Sequence, residues 1–175
     1  MSDDDQARPA SSFFLSDAGL TMLKSAEALS LQPYDDQSGQ VTSTWVPGAT
    51  IGYGHLITQN QWDTYKGGFE QSDADALLVH DLTASVNAVQ NCITAPVTQN
   101  QFDAMVILTF NIGVPSFTTS SVVKLVNNPS APCNYPSLEA AWKAWDRSQG
   151  KVMPGLDNRR NCEWNVFSQG VYQKW

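Results

Sequence analysis

Positive charge is scarce in this chain of 175 residues: ten Lys and Arg stand against seventeen Asp and Glu, for a formal net charge of −7 and a pI near 4.5. A surface so short of cations is unsuited to holding nucleic acid or anionic lipid by overall attraction, and nucleic acid is not expected as a partner. Cysteine is limited to Cys92, Cys133 and Cys162, an odd number with no CxxC pair, so no even disulfide framework is expected. Free or buried thiols are the simpler reading, with a Cys133 to Cys162 bridge left open. The two histidines, His55 and His80, stand in no HExxH, HxH or mixed Cys/His spacing, so neither a metal nor another cofactor is expected. The Met-Ser-Asp-Asp-Asp start has the wrong charge for a signal peptide, and Phe13 to Leu15 is too short for its apolar region. No apolar run is long enough to span a bilayer, so stable membrane insertion is not expected.

What the chain does have is apolar and aromatic surface. Hydrophobic residues reach 42%, with 6 Trp, 5 Tyr and 7 Phe, enough for one packed domain at this length and against global disorder. Its acidity is uneven. Residues 1–120 carry only Arg8, Lys24 and Lys66 as bases, whereas most of the cations lie in residues 121–175.

Residues 1–12 are polar and read as a flexible tail or linker stub, with the folded domain over 13–175. Ser16 is a plausible N-cap for a helix over about 17–31, because Leu20, Leu23, Glu27 and Leu31 fall on one face of a 3.6-residue period. Pro33 is expected to end it. From Tyr34 to His55, Gly, Thr, Val and Tyr with turn signals at Asp36–Gly39 and Pro47-Gly48 predict a small antiparallel sheet, the only convincing β segment. Capping signals at Ser72 and Thr98 open helices to about Asn91 and Ile112, the second stopped by Gly113. Shorter helices are expected near 119–127, 137–147 and 157–169. The fold class is therefore α+β, mostly α, with a small β-hairpin lobe over about 32–70 and a larger helical lobe over about 72–170 joined by the first helix. A cleft between the lobes is the expected ligand site.

Three features carry chemistry. Glu27 puts a carboxyl on an otherwise leucine stripe; it is either paired, exposed at the stripe's edge, or a carboxyl that keeps its proton beside an apolar cleft, as a general acid must. Asp36 follows nine residues later in a polar turn, where an aspartate before glycine is also ordinary turn chemistry. Two carboxyls in unlike settings are the minimum for glycosidic hydrolysis. In Thr50-Ile51-Gly52-Tyr53-Gly54-His55 the glycines lack the third glycine, the acidic residue and the βαβ context of a dinucleotide site. A tight strand exit with the Thr50 hydroxyl toward the cleft fits better. His55 reads as a structural brace.

Taken together, Glu27, Tyr34-x-Asp36-x-x-Gly39 and Thr50 through His55 resemble the phage-type lysozymes (endolysins) of glycoside hydrolase family 24. The resemblance continues in Gln101-Phe102-Asp103-Ala104 through Phe110-Asn111-Ile112-Gly113, in Phe117–Ser120, and in Gly150–Leu156 followed by Arg159, Arg160 and Glu163, spanning roughly residues 16–170. It implies a lysozyme-like fold and a muramidase that cuts the β-1,4 bond from N-acetylmuramic acid to N-acetylglucosamine with inversion. Glu27 is then the general acid, while Asp36 and Thr50 hold and activate the attacking water. The family pattern points to Leu56, Phe110 and Ser120 as substrate contacts, although Phe110 also reads as core beside Phe102 and Met105. Asn111 offers a further amide.

The chain departs from the simplest members in the longer segment Gln40 to Ala49, where Trp45 is either an extra sugar platform or a cap on the small lobe. Partners implied are peptidoglycan glycan strands and, among proteins, an immunity protein or a delivery domain of a larger chain, with the enzyme itself a monomer. Action is expected on the cell wall, in the periplasm of the target or host bacterium, after delivery by a holin, a phage particle or a secretion system. A lytic transglycosylase, which needs a single acid, and a non-catalytic peptidoglycan-binding module are the alternatives.

Overall fold

The computed structural model describes residues 6–148 and 150–174. Helix accounts for 54% of the chain, accompanied by a small antiparallel sheet, as the sequence led one to expect. In chain order the elements are α1 (Asp17–Ala26), β1 (Ser30–Asp35), β2 (Ala49–Gly52), β3 (His55–Leu56), α2 (Trp62–Tyr65), α3 (Gln71–Cys92), α4 (Gln99–Ile112), α5 (Val114–Thr118), α6 (Ser121–Asn127), α7 (Leu138–Lys143), β4 (Arg147–Ser148), β5 (Lys151–Val152) and α8 (Pro154–Gln169). They fall into two compact units, one over 24–83 and the other formed by 84–175 with the chain up to 23. The smaller unit is thus wider than the predicted 32–70.

Three expectations need correction. The first helix ends at Ala26, and Leu31 lies in β1, 36% exposed, so the predicted stripe stops at Leu23 and Glu27 follows the helix instead of riding on it. Pro33 sits inside β1 without ending anything; it coincides with a register shift between Ser30 and Tyr34, and a proline without an N–H is tolerated where the ladder is already irregular. A second hairpin, β4 with β5, occupies residues that carry no alternating apolar pattern. The tail also differs from expectation within the described residues: Arg8 exchanges backbone hydrogen bonds with Val97 at 2.8 and 2.9 Å, Ala10 is 1% exposed, and the Arg8 guanidinium lies 4.4 Å from the Phe13 ring centre. Residues 1–5 of that predicted tail lie outside the described residues.

The larger unit is organised by α4, whose residues 102–109 are all buried and which packs on α8. Its capping box forms as predicted, with the Thr98 N–H donating to the Gln101 side chain at 3.1 Å. Asp103 on this helix is fully buried yet well satisfied: it accepts from the Ser16 N–H at 3.0 Å, the Ser16 hydroxyl, Gln99 at 2.9 Å and the Tyr172 hydroxyl at 2.7 Å. The same Ser16 oxygen caps α1 by accepting from the Gly19 N–H, so one carboxylate fixes where α1 begins.

Beneath Trp142, α8 holds a buried ion cluster. Glu163, 0% exposed, receives Arg159 at 3.0 Å, Arg160 at 3.1 Å and the Trp142 indole N–H at 3.2 Å, and Arg160 reaches Asn111 at 2.5 Å. Burial pushes the Glu163 carboxyl up, against the opposite pull of Arg160 and Arg159, and pushes the Arg160 guanidinium down. All three cysteines are free, so Cys133 and Cys162 are not bridged.

The smaller unit is built on the sheet β1-β2-β3. Ala49, Ile51 and Ile57 form its core, covered by Trp45, Val46, Trp62, Tyr65, Phe69 and Leu77. Trp45 donates its indole N–H to the Ile57 carbonyl at 2.9 Å, which decides its two readings in favour of a cap on this core. The connection after α2 closes against β1 at Gly68, whose φ is +74°: a Cβ there would lie 2.2 Å from the Gln32 amide nitrogen and 2.6 Å from the Leu31 carbonyl oxygen, which already receives the Phe69 N–H. Gly68→Ala is therefore expected to cost about 1–3 kcal/mol of stability, read as a lowered Tm; an unchanged Tm would show that this loop yields without strain.

Candidate active site

The sheet of the smaller unit sets one row of side chains across its three strands. Tyr34 of β1 is the register partner of Thr50 of β2, and Thr50 is in turn the partner of Leu56 of β3. Directly opposed residues of an antiparallel pair project from the same face, so Thr50 stands between a phenol and a leucine. Thr50 is 5% exposed, whereas Leu56 is 60% exposed and offers bare apolar surface at the row's end.

Asp36 lies just beyond β1 in an exposed turn. The turn is shaped by its neighbour: the Asp35 carboxylate accepts from the Ser38 hydroxyl at 2.8 Å and the Gln37 N–H at 3.0 Å, and these bonds, the Ser38 one foremost, hold its pKa below the usual carboxylate value. Asp35 is thereby committed to the turn, which leaves Asp36 as the carboxylate presented by it. The backbone of Asp36 is tied to β2 as well, its N–H donating to the Gly48 carbonyl at 3.1 Å. That carbonyl also accepts the Thr50 hydroxyl at 2.9 Å. One oxygen therefore fixes both residues, and because the Thr50 proton points at Gly48, its Oγ1 lone pairs remain to accept a hydrogen bond. Gly48 itself has φ +97°, a conformation that a side chain would strain.

Glu27 follows the last residue of α1 and is half-buried. Its relation to Asp36 shows in Tyr34, whose phenol is pushed up first by burial, then by the negative field of Asp36, then by that of Glu27. Both carboxylates thus lie within electrostatic reach of the side chain opposite Thr50. The phenol stays protonated at neutral pH, a neutral group in the field of both.

A second polar knot holds the exit of β2. Tyr53, in the turn between β2 and β3, donates its hydroxyl to Asp75 of α3 at 2.9 Å, and Asp75 also binds the Lys24 ammonium of α1 at 2.8 Å. These two bonds, Lys24 before Tyr53, lower the Asp75 pKa. His55 braces the other end of the turn, its Nδ1 lying 2.9 Å from Asp81 and its ring edge-on to Tyr65. The expected structural role of His55 agrees with this geometry.

Phe110 and Ser120 belong to the larger unit. Phe110 is half-buried, the first residue of α4 to emerge after the buried run. Ser120 is 8% exposed and caps α6, its Oγ accepting from the Val123 N–H at 3.2 Å, which leaves its proton to donate. The Asn111 side-chain oxygen is taken by Arg160. Among the described residues no group of three or more His, Cys, Asp or Glu is arranged to hold a metal ion. Sequence reasoning missed the Gly48 carbonyl, the turn-forming work of Asp35 and the Lys24–Asp75–Tyr53 knot. Only the first left a trace, in the Pro47-Gly48 turn signal.

Residues 24–163 match a family profile described as phage lysozyme. The chain is 36% identical over 158 residues to an endolysin of Acyrthosiphon pisum secondary endosymbiont phage 1, covering 87% of this chain and 97% of that one. Among solved structures it is similar to an endolysin from Escherichia coli O157:H7 phage FAHEc1, with TM-score 0.72 and 30% identity over 93% of this chain and 98% of that one. It is also similar to the muramidase domain of SpmX from Asticaccaulis excentricus, with TM-score 0.69 and 33% identity over 89% and 98% of the respective chains.

Proposed function

The chain belongs to the phage lysozyme family and hydrolyses peptidoglycan, and from that premise we propose that Glu27, Asp36 and Thr50 cut the β-1,4 bond between N-acetylmuramic acid and N-acetylglucosamine with inversion. The observation that carries the assignment is the double tie of Asp36 and Thr50 to the Gly48 carbonyl, beside a phenol that senses both carboxylates. In an inverting mechanism Glu27 gives its proton to the glycosidic oxygen as the bond to the anomeric carbon breaks. A water on the opposite face of the sugar attacks that carbon, losing one proton to Asp36 and donating the other to the Thr50 lone pair that the Gly48 bond leaves open. Asp36, exposed and fixed only through its backbone and turn, suits a base that must meet water; Thr50, buried and fixed through its hydroxyl, suits a group that orients it. Leu56 supplies apolar surface to sugar C–H faces, and Phe110 and Ser120 are the substrate contacts proposed on the larger unit.

The substrate is the glycan strand of peptidoglycan and the place of action is the bacterial cell wall; no helix among the described residues is long and apolar enough to cross a membrane. A monomer carried to the wall through a holin pore, by a phage particle or by a secretion system, with an immunity protein or delivery domain as its protein partner, is the reading in keeping with the sequence.

Product analysis tests the reaction. Digestion of purified peptidoglycan should yield new reducing ends on muramic acid, α-configured when first formed and followed by NMR before mutarotation. Anhydro-muramic ends would establish a transglycosylase, β-configured first products a retaining route, and reducing N-acetylglucosamine cleavage of the other bond. Each of these overturns the proposal. Asp36→Asn should lower kcat at least about a hundredfold, while Asp35→Asn, which keeps an acceptor for the turn, should retain most activity. Equal losses in the two variants would remove the distinction drawn between these neighbours.

A further inference from the structure

Both cations of the smaller unit are held by aspartates, Lys66 by Asp63 at 2.6 Å and Lys24 by Asp75 at 2.8 Å. In the larger unit Lys143 meets Glu139 at 2.5 Å, and Arg159 and Arg160 share Glu163. Among the described residues, the cations that meet no carboxylate are Arg8, Lys124, Lys151 and Lys174, all of the larger unit. Of these, Lys151 stands on the β4–β5 hairpin, whose strand residues are all exposed. Its register partner is Ser148, and that of Arg147 is Val152. Opposed residues of an antiparallel pair share a face, so the Lys151 ammonium and the Ser148 hydroxyl stand side by side, with Arg147 and Val152 on the other side. Met153, 43% exposed, continues the Lys151 face by alternation, and its N–H stays in the ladder by donating to the Asp146 carbonyl at 2.9 Å. Arg147 is turned back on the hairpin itself: its Nη1 donates to the Gly150 carbonyl at 3.3 Å, and its Nε lies 3.7 Å from the Asp146 carboxylate. Lys151 is therefore the cation that the hairpin presents, and among the described residues neither its ammonium nor the Ser148 hydroxyl has a partner.

An ammonium beside a hydroxyl, with apolar surface next to them, suits a carboxylate carried on a short apolar group. The substrate offers that chemistry in one place. The amino sugars of peptidoglycan are N-acetylated and uncharged, and the lactyl carboxyl of muramic acid is consumed in the bond to the peptide. Its anionic groups are thus the carboxylates of the peptide stems, set among alanine methyls. We infer that the Lys151 face of the β4–β5 hairpin binds peptidoglycan through the carboxylates of its peptide stems, and so distinguishes peptide-bearing strands whose stems are anionic from strands whose stems are neutral. The inference rests on peptidoglycan as the substrate and is independent of which residues cut it. A contact of this kind holds ground state and transition state alike, so it acts on KM and leaves kcat alone.

The test uses full-length variants on sacculi free of phosphate polymers, at low ionic strength, each variant checked for folding by circular dichroism and Tm. Lys151→Glu should raise KM about threefold to tenfold with kcat unchanged, and Lys151→Ala and Ser148→Ala should raise it by less. The rise should fade with added salt. Lys174→Glu makes the same change in net charge elsewhere on the larger unit and should leave KM within about twofold of wild type. On sacculi whose stem carboxylates have been converted to neutral amides by carbodiimide coupling to ethanolamine, wild type and Lys151→Glu should have equal KM. Equal KM on untreated sacculi overturns the inference. So does an equal rise in Lys174→Glu, which would assign the effect to net charge, and so does a difference that survives amidation. A difference confined to walls that bear phosphate polymers would make the face a reader of phosphate, and likewise overturns it. All of these outcomes leave peptidoglycan hydrolysis standing. Should the wild type cut no peptidoglycan, the functional reading fails, and co-sedimentation of the same proteins with untreated and amidated sacculi still decides the inference: tighter pelleting of wild type than of Lys151→Glu on untreated sacculi alone supports it, and equal pelleting overturns it.

Discussion

Glu27→Gln is expected to fold as the wild type does and to cut peptidoglycan about a thousandfold more slowly or worse. The glutamine keeps the size of the side chain and its capacity to accept and donate hydrogen bonds, so packing at the end of α1 is preserved; what it lacks is a transferable proton. General acid catalysis by a positioned carboxyl contributes roughly 10²–10⁴-fold, and the upper part of that range applies where the leaving group is a sugar alkoxide that leaves poorly unprotonated. The expected signature is a fall in kcat and kcat/KM together, with binding to wall fragments retained. The assay is release of soluble muropeptides from purified sacculi, alongside pelleting of the protein with the wall. A Glu27→Gln enzyme within tenfold of wild type would sink the assignment. Wild type and variant that are both inert yet both pellet would instead mark a peptidoglycan-binding module.

The second large effect is on stability. Glu163 lies fully buried between Arg159 and Arg160 under Trp142. Replacing it by alanine takes the carboxylate partner from the fully buried Arg160 beside a second guanidinium, and removing one partner of a buried ion pair typically costs about 3–5 kcal/mol. For a chain of this length that corresponds to a fall in Tm of roughly 6–20 °C. Differential scanning calorimetry checks it, and a Tm within about 2 °C of wild type would mean that water reaches the cluster. The intact cluster is no proof of net stabilisation, because desolvating three charges offsets much of their attraction. Its sensitivity to losing one member is the firmer expectation.

Much of this fold is legible in the sequence because its signals are local. Thr98 with Gln101, and Gly113 after Ile112, mark both ends of α4 through backbone groups that need specific partners, and the structure meets them. The fate of Glu27 was less legible. Periodicity carried the predicted helix past it to Leu31, since Leu20, Leu23 and Leu31 keep a helical spacing, but β1 takes Ser30 onward into pairing with β2. Tertiary pairing overrode the period. The hairpin Arg147–Val152 left no pattern because two-residue strands are too short to alternate. Asp103 and Asp75 were invisible for another reason: a helix-borne aspartate looks the same in sequence whether it faces water or, as here, anchors a residue 87 or 51 positions away. The candidate site divides likewise. Asp36 and Thr50 stand out by motif, whereas the bonds that join them through the Gly48 carbonyl are backbone geometry and have no letter in the sequence.

That carbonyl separates two jobs that the hairpin between β1 and β2 might have had to share. The chain returns along β1, the Asp35 N–H donating to the Gln40 carbonyl and the Thr42 N–H to the Pro33 carbonyl, both at 2.9 Å, and it reaches β2 past Gly48, with Trp45 pinned into the core on the way. Catalytic register is thus set by the Val41 bridge to Tyr34, by one indole and at Gly48, and the exposed tip at Ser43 and Thr44 lies outside that register. Such a tip is where length and composition can drift between relatives, or a binding peptide can be grafted by an engineer, while the hydrolytic residues stay in place.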